Sequence, residues 1–265
     1  MADEHAFFTD GASYERLMGR WSQLVAVQFL AWLDAPKGLR WLDVGCGNGA
    51  FSEVLMRERP PAALCGIDPS EAQLAYARSR RALKAATFQI GDAQALPFDA
   101  GHFDAATMAL VITFIPDPVK AVSEMKRVTR PGGWVAGYMW DAPAGGLPQQ
   151  PLFAAARTLG LPAPSAAAGL ASVHSEAELR AVWQKAGLEA TETRRIDIAV
   201  TYDDFDDFWQ SATLLASPMT KLVSGLAPAE RERLKEHLAA TLPRDAAGHV
   251  TGGAFANAVR GRVPS

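Results

Sequence analysis

Apolar and polar positions change their period several times along the chain. Between residues 14 and 35 the large apolar side chains recur at steps of three and four, which predicts an amphipathic helix ending before Pro36. From residue 41 onward, short apolar runs alternate with helical patterns. Strands that alternate with helices in this way are typical of a parallel, doubly wound sheet, so the pattern predicts an α/β fold.

The same pattern predicts where each element lies. The strands expected before residue 141 are 41–44, 62–67, 86–90, a run within 103–114, and 134–140, with helices at 50–59, 70–83 and 117–129. Beyond them we expect a loop with one short helix near Phe153, a helix from Ser175 to Gly187, an alternating segment at 188–200, a helical region at 203–242 and a last strand at 251–263.

Composition excludes several classes of protein. The chain has 265 residues, of which 49% are hydrophobic and 21% charged, as in globular proteins rather than disordered or collagen-like ones. Its net charge of −3 comes without a dense basic run, so we expect no nucleic-acid partner. Two cysteines form neither a disulfide framework nor a metal-ligand pattern. The first residues lack a signal-peptide pattern, and no apolar run is long enough for a membrane span, so a cytoplasmic location is expected.

A glycine-rich turn follows the first predicted strand. Gly45, Gly47 and Gly49 stand between that strand and a helix, an arrangement that directs backbone N–H groups towards a ligand. Asp68 ends the next strand, where a carboxylate can accept hydrogen bonds from a ribose diol. The glycines could instead serve only a tight turn. Gly45, Gly47 and Ala50 also fit the dinucleotide pattern G-x-G-x-x-G/A. The identity of the nucleoside ligand is therefore undetermined at this point.

Six segments in order along the chain carry a resemblance to a known family. They are Trp41–Gly49, Gly66–Ser70, Gly91–Phe98, Phe103-Asp104, Pro116–Pro118 and Arg130–Gly133. Together they resemble the motifs of class I S-adenosylmethionine (SAM)-dependent methyltransferases, and most of all the small-molecule enzymes related to quinone-biosynthesis C-methyltransferases. The resemblance implies a Rossmann-like, doubly wound, mostly parallel seven-stranded sheet with an antiparallel last strand and helical cover insertions.

The resemblance also implies a role for each matching position, with SAM as cofactor and S-adenosylhomocysteine as product. Asp43 would lie near the ammonium group of SAM, and Asp68 would hold the ribose hydroxyls. At Gly45, Cys46 and Gly47 the methionine part of SAM would pass over the protein backbone. The other implied cofactor contacts are Pro69 and Gln73 beside the adenine, Asp92, Ala93 and the adjacent Gln94 at the adenine edge, Met108 and Leu110 on the methionine side, and Tyr14 and Arg20 closing over the cofactor.

The chain departs from the family at Thr113-Phe114, where many relatives carry two histidines, so any proton-accepting role of that pair is in doubt here. Of the five histidines, His174 is the best candidate for a base, because it follows the insertion expected to border the pocket. Trp140 and Trp209 either line an apolar acceptor site or belong to the core of the insertion. The acidic run at 203–207 is interpreted as a helix start rather than a metal site.

These observations favour one function and leave two alternatives. We expect methyl transfer from SAM to a small, apolar or aromatic acceptor by in-line displacement. The alternatives are an NAD-dependent oxidoreductase, based on the ambiguous glycine pattern, and a SAM-binding protein without transferase activity, based on the missing histidines. We expect a single domain over residues 1–265, with a core at 39–140, 176–200 and 252–262 and a helical cover at 1–38, 141–175 and 201–251.

Overall fold

Strands and helices alternate through the parts of the chain that the computed structural model describes, residues 20–161, 172–213 and 223–265. The strands are β1 (Arg40–Val44), β2 (Ala63–Asp68), β3 (Thr87–Ile90), β4 (Phe103–Ala109), β5 (Thr129–Trp140), β6 (Glu189–Tyr202) and β7 (Val250–Arg262). The helices are α1 (Arg20–Leu33), α2 (Ala50–Glu58), α3 (Glu71–Ser79), α4 (Pro118–Val128), α5 (Gln150–Thr158), α6 (Glu176–Lys185), α7 (Phe205–Thr213) and α8 (Pro228–Thr241).

The strands form one sheet in the order β3-β2-β1-β4-β5-β7-β6. The first five strands are parallel, and β7 is antiparallel to both β5 and β6. The expected mostly parallel seven-stranded sheet with an antiparallel last strand is therefore confirmed. β1 to β6 all end at the same side of this sheet, which we call the carboxyl edge, and ligands of open α/β sheets bind at that edge.

Three element boundaries differ from the expectation. The helix predicted at 70–83 ends at Ser79, because Arg80 has extended backbone and a short 3-10 turn, Arg81–Leu83, follows. The strand predicted within 103–114 ends at Ala109, because Leu110 has a positive φ of 61° that interrupts the extended backbone. β5 begins at Thr129 instead of 134, with a register irregularity in its pairing to β4.

The helical region predicted at 203–242 is not one continuous helix in its described parts. α7 begins at Phe205 and α8 begins at Pro228, and residues 225–227 between them are not helical. α7 starts directly after the acidic residues, and Asp204 accepts the backbone N–H of Asp207 at 2.8 Å. The interpretation of this acidic run as a helix start is confirmed.

Aromatic packing places α1 and α2 against one face of the sheet. Phe29 of α1 and Phe51 of α2 both contact Tyr138 of β5, with ring centroids 4.9 and 6.1 Å from it. On the opposite face, Trp183 of α6 donates its indole N–H to the carbonyl of Val135 at 2.9 Å. Both faces of the central strands are therefore covered, and the carboxyl edge is where a ligand can approach the sheet.

None of the helices in the described residues is both long enough and apolar enough to cross a membrane.

Candidate functional site

The turn after β1 adopts a conformation that requires glycine. Gly45, Gly47 and Gly49 have φ values of +70°, +50° and +81°. A Cβ on Gly45 would lie 2.6 Å from the methyl groups of Val111, whereas a Cβ on Gly47 would meet no atom within 4 Å. The backbone N–H groups of Gly45 and Cys46 donate to the Ile67 carbonyl at 2.8 and 3.0 Å. The turn is thus packed at Gly45 and open at Gly47.

Asp68 connects this turn to the end of β2. One carboxylate oxygen accepts the backbone N–H of Gly47 and the other accepts that of Ser70, both at 2.9 Å. Burial raises the pKa of Asp68, while these two hydrogen bonds lower it, and burial prevails. Each carboxylate oxygen has a second lone pair, so the group can also accept bonds from two hydroxyls.

Asp43, near the end of β1, is fully buried. One of its oxygens accepts the Ser52 hydroxyl at 2.7 Å, and the other has no hydrogen-bond partner. Burial raises the pKa of Asp43 to about 7; the Ser52 bond opposes this rise and the negative charge of Asp68 adds to it. A buried carboxyl oxygen without a partner is an unfavourable state that a bound cation would relieve.

Cys46 contributes its backbone to the turn rather than a reactive thiol. Its side chain is buried, and its Sγ lies 3.9 Å from the carbonyl oxygen of Gly47. Burial, with further contributions from the charges of Asp43 and Asp68, raises the pKa of the thiol well above its ordinary value. A protonated thiol is a poor nucleophile, so the geometry agrees with the backbone role implied by the family.

Asp92 and Gln94 form a turn directly after β3. Asp92 is exposed, and its Oδ1 accepts the backbone N–H of Gln94 at 2.8 Å. The Gln94 side-chain oxygen accepts the backbone N–H of Asp117 at 3.2 Å, which ties this turn to the start of α4. Ala93 lies between them and is half-buried. The expected adenine contacts are therefore together at the carboxyl edge, beside Asp68.

The other expected cofactor residues differ widely in exposure. Pro69 is exposed just before α3, whereas Gln73, in the first turn of that helix, is buried. Met108 is 1% exposed and belongs to the core beneath the edge. Leu110 follows β4 with a positive φ and donates its backbone N–H to the Tyr138 carbonyl at 2.8 Å. Tyr14 lies outside the described residues.

Arg20 forms an ion pair with Asp207, a carboxylate of the helical cover. Its guanidinium donates to both oxygens of Asp207, at 3.0 and 3.2 Å, and to the Ser211 hydroxyl at 3.1 Å. It also stacks over the rings of Trp21 and Tyr202, with 4.3 and 4.9 Å to their centroids. These contacts join the start of α1 to α7; a role in cofactor closure stays a prediction.

Trp209 is buried within the cover. It stacks on Phe205, with centroids 6.3 Å apart, and the Arg231 guanidinium lies 6.0 Å from its ring. This packing is what the interpretation as core of the insertion predicts, whereas an acceptor role for Trp209 stays a prediction.

Trp140 and His174 meet at the end of β5. The His174 Nδ1 lies 3.1 Å from the Trp140 carbonyl oxygen, and Asn257 donates to the His174 carbonyl at 2.8 Å. The Asn257 side chain also donates to Asp141 at 2.9 Å. The Trp140 side chain is 2% exposed. The structure thus brings His174, the candidate base, next to Trp140, a candidate for binding the acceptor molecule. The two residues are 34 positions apart in the chain.

Thr113 and Phe114 differ in their surroundings. Thr113 is buried, with its hydroxyl 3.8 Å from the sulfur of Met139, whereas Phe114 is 47% exposed. Neither side chain can accept a proton at neutral pH. If the reaction needs a base, another residue must supply it.

Three supporting residues were missed by reasoning from the sequence. Ser52 binds Asp43, Arg80 donates to the Asn48 carbonyl at 2.7 Å inside the turn, and Asn257 holds His174. The serine could have been found from its helical position just after the turn. Neither Arg80 nor Asn257 has a local sequence signal, because each reaches its partner only through tertiary packing.

Comparisons with known proteins agree with this site. Residues 42–137 match the family described as "Methyltransferase domain". A 2-phytyl-1,4-beta-naphthoquinone methyltransferase of Arabidopsis thaliana is 37% identical over 114 residues, which cover 40% of this chain and 44% of that protein. A demethylmenaquinone methyltransferase of Staphylococcus aureus is 37% identical over 105 residues, covering 39% and 44%. The matches thus span less than half the length of these curated relatives.

The fold extends the likeness over the rest of the chain. A chain in the complex between the Haloferax volcanii Trm112 methyltransferase activator and the putative methyltransferase superposes with a TM-score of 0.62 over 100% of both chains, at 19% identity. At that identity the likeness shows the fold alone. The sequence match covers the turn, Asp68, Asp92 and the strands that carry them. Residues 42–137 match the methyltransferase domain family, and the resemblance carried by the motifs is confirmed.

Proposed function

We propose that the protein transfers a methyl group from SAM to a small organic acceptor by in-line displacement. The observation that carries the proposal is the convergence of two carboxyl groups, Asp43 and Asp68, around an open glycine turn. They lie on adjacent parallel strands, where Asp43 pairs with Gly66, two residues before Asp68, and the charge of Asp68 raises the pKa of Asp43. A cationic amino-acid group and a ribose diol are the two chemical groups that such a pair complements.

The residues present fit SAM in charge and in space. The unpartnered oxygen of Asp43 matches an ammonium group, and the open side of Gly47 leaves room for a ligand to pass close to the backbone. Asp68 would bind the ribose hydroxyls, and the Asp92 turn would border the adenine. When bound, SAM supplies a methyl group already activated by its sulfonium. The protein then has to align donor and acceptor, and alignment alone can lower a barrier by about 7–11 kcal/mol.

The acceptor that we propose is small and aromatic. Trp140, at the end of β5, is buried beside His174, and aromatic side chains form favourable contacts with aromatic ligands. The two relatives named above are, by their names, methyltransferases of a naphthoquinone and of demethylmenaquinone. Because these relatives match only the central segment, the acceptor of this chain is a separate proposal. The cover elements α1 and α7, tied together by Arg20, would border it.

A second candidate is a SAM-binding protein that transfers no methyl group. It is favoured by Thr113 and Phe114, which leave no proton acceptor where many relatives have histidines. An NAD-dependent oxidoreductase has no comparable support, because residues 42–137 match a methyltransferase domain.

Titration calorimetry with SAM, S-adenosylhomocysteine and NADH separates these functions. We expect both adenosyl ligands to bind and NADH not to. Failure of both adenosyl ligands to bind at millimolar concentration would overturn the proposal. Transfer from SAM carrying a deuterated methyl group is then followed by mass spectrometry over phenols, quinols and amines. Binding without any transfer would favour the second candidate.

A further inference from the structure

Both backbone polar groups of His174, its N–H and its carbonyl, form hydrogen bonds with side chains. Its N–H donates to the Glu178 carboxylate at 2.9 Å, and its carbonyl accepts the Asn257 side chain at 2.8 Å. Asn257 is itself buried and donates to Asp141 at 2.9 Å. Glu178 also completes the capping box of α6 with Ser175. The position of His174 is therefore fixed by the start of α6 and by β7, as a catalytic group requires.

The ring of His174 is fixed as well, and in one tautomer. Its Nδ1 lies 3.1 Å from the Trp140 carbonyl oxygen. A carbonyl can only accept, so Nδ1 carries the proton and the neutral ring has its lone pair on Nε2. A histidine whose Nδ1–H is bound by the backbone, with Nε2 left as the acceptor, is arranged to take up a proton.

His174 lies at the same edge as the glycine turn. It binds Trp140, the last residue of β5. The neighbouring Met139 contacts Thr113, in the segment that follows β4. In the same segment, Val111 occupies the space in front of Gly45. A continuous set of contacts thus leads from His174 to the turn where SAM is proposed to bind.

Trp140 has a buried polar atom at the end of β5. Its side chain is 2% exposed, and its indole N–H has no hydrogen-bond partner. A buried donor without an acceptor is unfavourable, because it has lost its hydrogen bonds to water. An oxygen atom brought by a bound molecule would restore that hydrogen bond. The end of β5 therefore carries a buried donor, the indole N–H of Trp140, and through its last carbonyl it binds the ring whose Nε2 is the acceptor.

We propose that the acceptor carries a phenolic hydroxyl and that His174 removes its proton; this inference rests on the proposed function. His174 Nε2 takes the hydroxyl proton, and the phenolate forms a bond to the methyl carbon while the carbon–sulfur bond breaks. That bonding pair stays on sulfur, which leaves neutral S-adenosylhomocysteine. The phenolate attacks through its oxygen or through the ring carbon beside it, and both routes need this proton removed. In the carbon route the ring then loses its own hydrogen as a proton. Asn257 is the positioning residue for His174.

Two carboxyl groups belong to the surroundings of His174. Burial raises the pKa of Glu178, but the hydrogen bonds from Ser175 and His174 outweigh it and leave that pKa below its ordinary value. Glu178 is therefore ionised throughout the neutral range. Asp141 is reached only through the Asn257 side chain. The segment that carries His174 thus has one fixed negative charge, that of Glu178.

The test compares His174→Gln with a matched control, His102→Gln, which lies before β4 at the opposite edge of the sheet. Turnover is measured with 1,4-naphthohydroquinone and catechol as hydroxyl probes and with aniline as the amine probe. We expect His174→Gln to lower kcat about 10²–10⁴-fold, with unchanged S-adenosylhomocysteine affinity, and the control to behave like the wild type. His174→Gly should regain activity when imidazole is added, which a purely structural role would not give.

The pH profile gives a second readout. Wild-type kcat should rise with pH until His174 is neutral and then level off, whereas His174→Gln should keep rising, because hydroxide replaces the base. Asn257→Asp, which cannot donate to the His174 carbonyl, should lower kcat with little change in cofactor affinity.

Trp140→Phe removes the indole N–H and should raise KM for hydroxyl probes. Its matched control is Trp134→Phe, at the other end of β5, where the N–H is also buried without a partner. Nuclear magnetic resonance of the product distinguishes a methyl ether from a ring-methylated phenol, and either one supports the proposal. Transfer to aniline alone, no transfer to any hydroxyl probe, or full kcat in His174→Gln would overturn it. Failure of the wild type to bind S-adenosylhomocysteine would instead overturn the proposed function.

Discussion

The two ends of the carboxyl edge are built from different kinds of contact. On the glycine-turn side, formed by residues 45–49 with Asp43 and Asp68, the bonds of the turn and of the two carboxyl groups join residues at most 32 positions apart, and many involve the backbone. On the cover side, formed by Arg20, Trp140, His174 and the residues that bind them, most bonds involve side chains. Apart from the bond between His174 and Glu178, which spans four positions, they span 34 to 191 positions.

This difference determines which part of the site a sequence motif can specify. Local backbone contacts depend on a few residues in a fixed order, so the glycine-turn side is visible in the sequence and matches a widespread domain. Contacts over long separations depend on how distant elements pack. The cover side can therefore change its acceptor without disturbing the cofactor side. Substitutions on the glycine-turn side and on the cover side should therefore have separate effects.

The largest effect is expected from Gly45→Ala. Alanine at a positive φ is strained by about 1–2 kcal/mol, and a Cβ at 2.6 Å from Val111 adds about 1–3 kcal/mol of overpacking. The control is Gly47→Ala, whose Cβ meets no atom within 4 Å. It should be less destabilised than Gly45→Ala but lose SAM affinity, because its methyl group fills the space left for the ligand. Equal stabilities of the two variants in urea unfolding would contradict this account.

Asp68→Ala should weaken SAM about 10- to 100-fold, because charge-assisted hydrogen bonds contribute about 1.5–3 kcal/mol. Titration calorimetry measures the change. Asp104→Ala is the control: this carboxylate also binds a backbone N–H, of Arg40, but at the amino end of β4. It should bind SAM like the wild type. Unchanged affinity in Asp68→Ala would mean that the ribose assignment is wrong.

The protonation of Asp43 should make both the stability of the protein and its affinity for SAM depend on pH. The folded protein holds the Asp43 proton up to about pH 7, whereas an unfolded carboxyl releases it near its ordinary value, so the unligated protein loses stability as pH rises between the two. A bound ammonium favours the ionised form, so SAM affinity should rise by at most about tenfold per pH unit and level off above 7. Calorimetry at pH 6 in two buffers of different ionisation enthalpy should detect proton release, and Asp43→Asn should abolish it.

The smallest effect is expected from the ion pair between Arg20 and Asp207. Their side chains are 34% and 28% exposed, and exposed pairs contribute about 0.2–1 kcal/mol. A double-mutant cycle of Arg20→Gln and Asp207→Asn, measured by urea unfolding, should give a coupling energy within that range. A much larger value would mean that the cover is bound as rigidly as the glycine-turn side.

Much of the fold follows from the period of the apolar residues. The positions of β1 to β3 and of the turn were predicted within about two residues, because each is bounded by glycine, proline or a change of period. The ends of α3 and β4 were not predicted this closely. Arg80 leaves the helix with its guanidinium bonded to the turn, and Leu110 takes a positive φ with its N–H bonded to Tyr138. Both effects come from distant partners.

The parallel sheet, the glycine turn and the carboxyl groups beside it could all be predicted from the order of the amino acids. These features depend on backbone conformation and on short spacings along the chain. The contacts of Arg20 with Asp207, the packing of Trp209 inside the cover and the position of His174 between Asn257 and Trp140 could be found only in the folded protein. These side chains come from different elements, and they approach one another only after the elements have packed together.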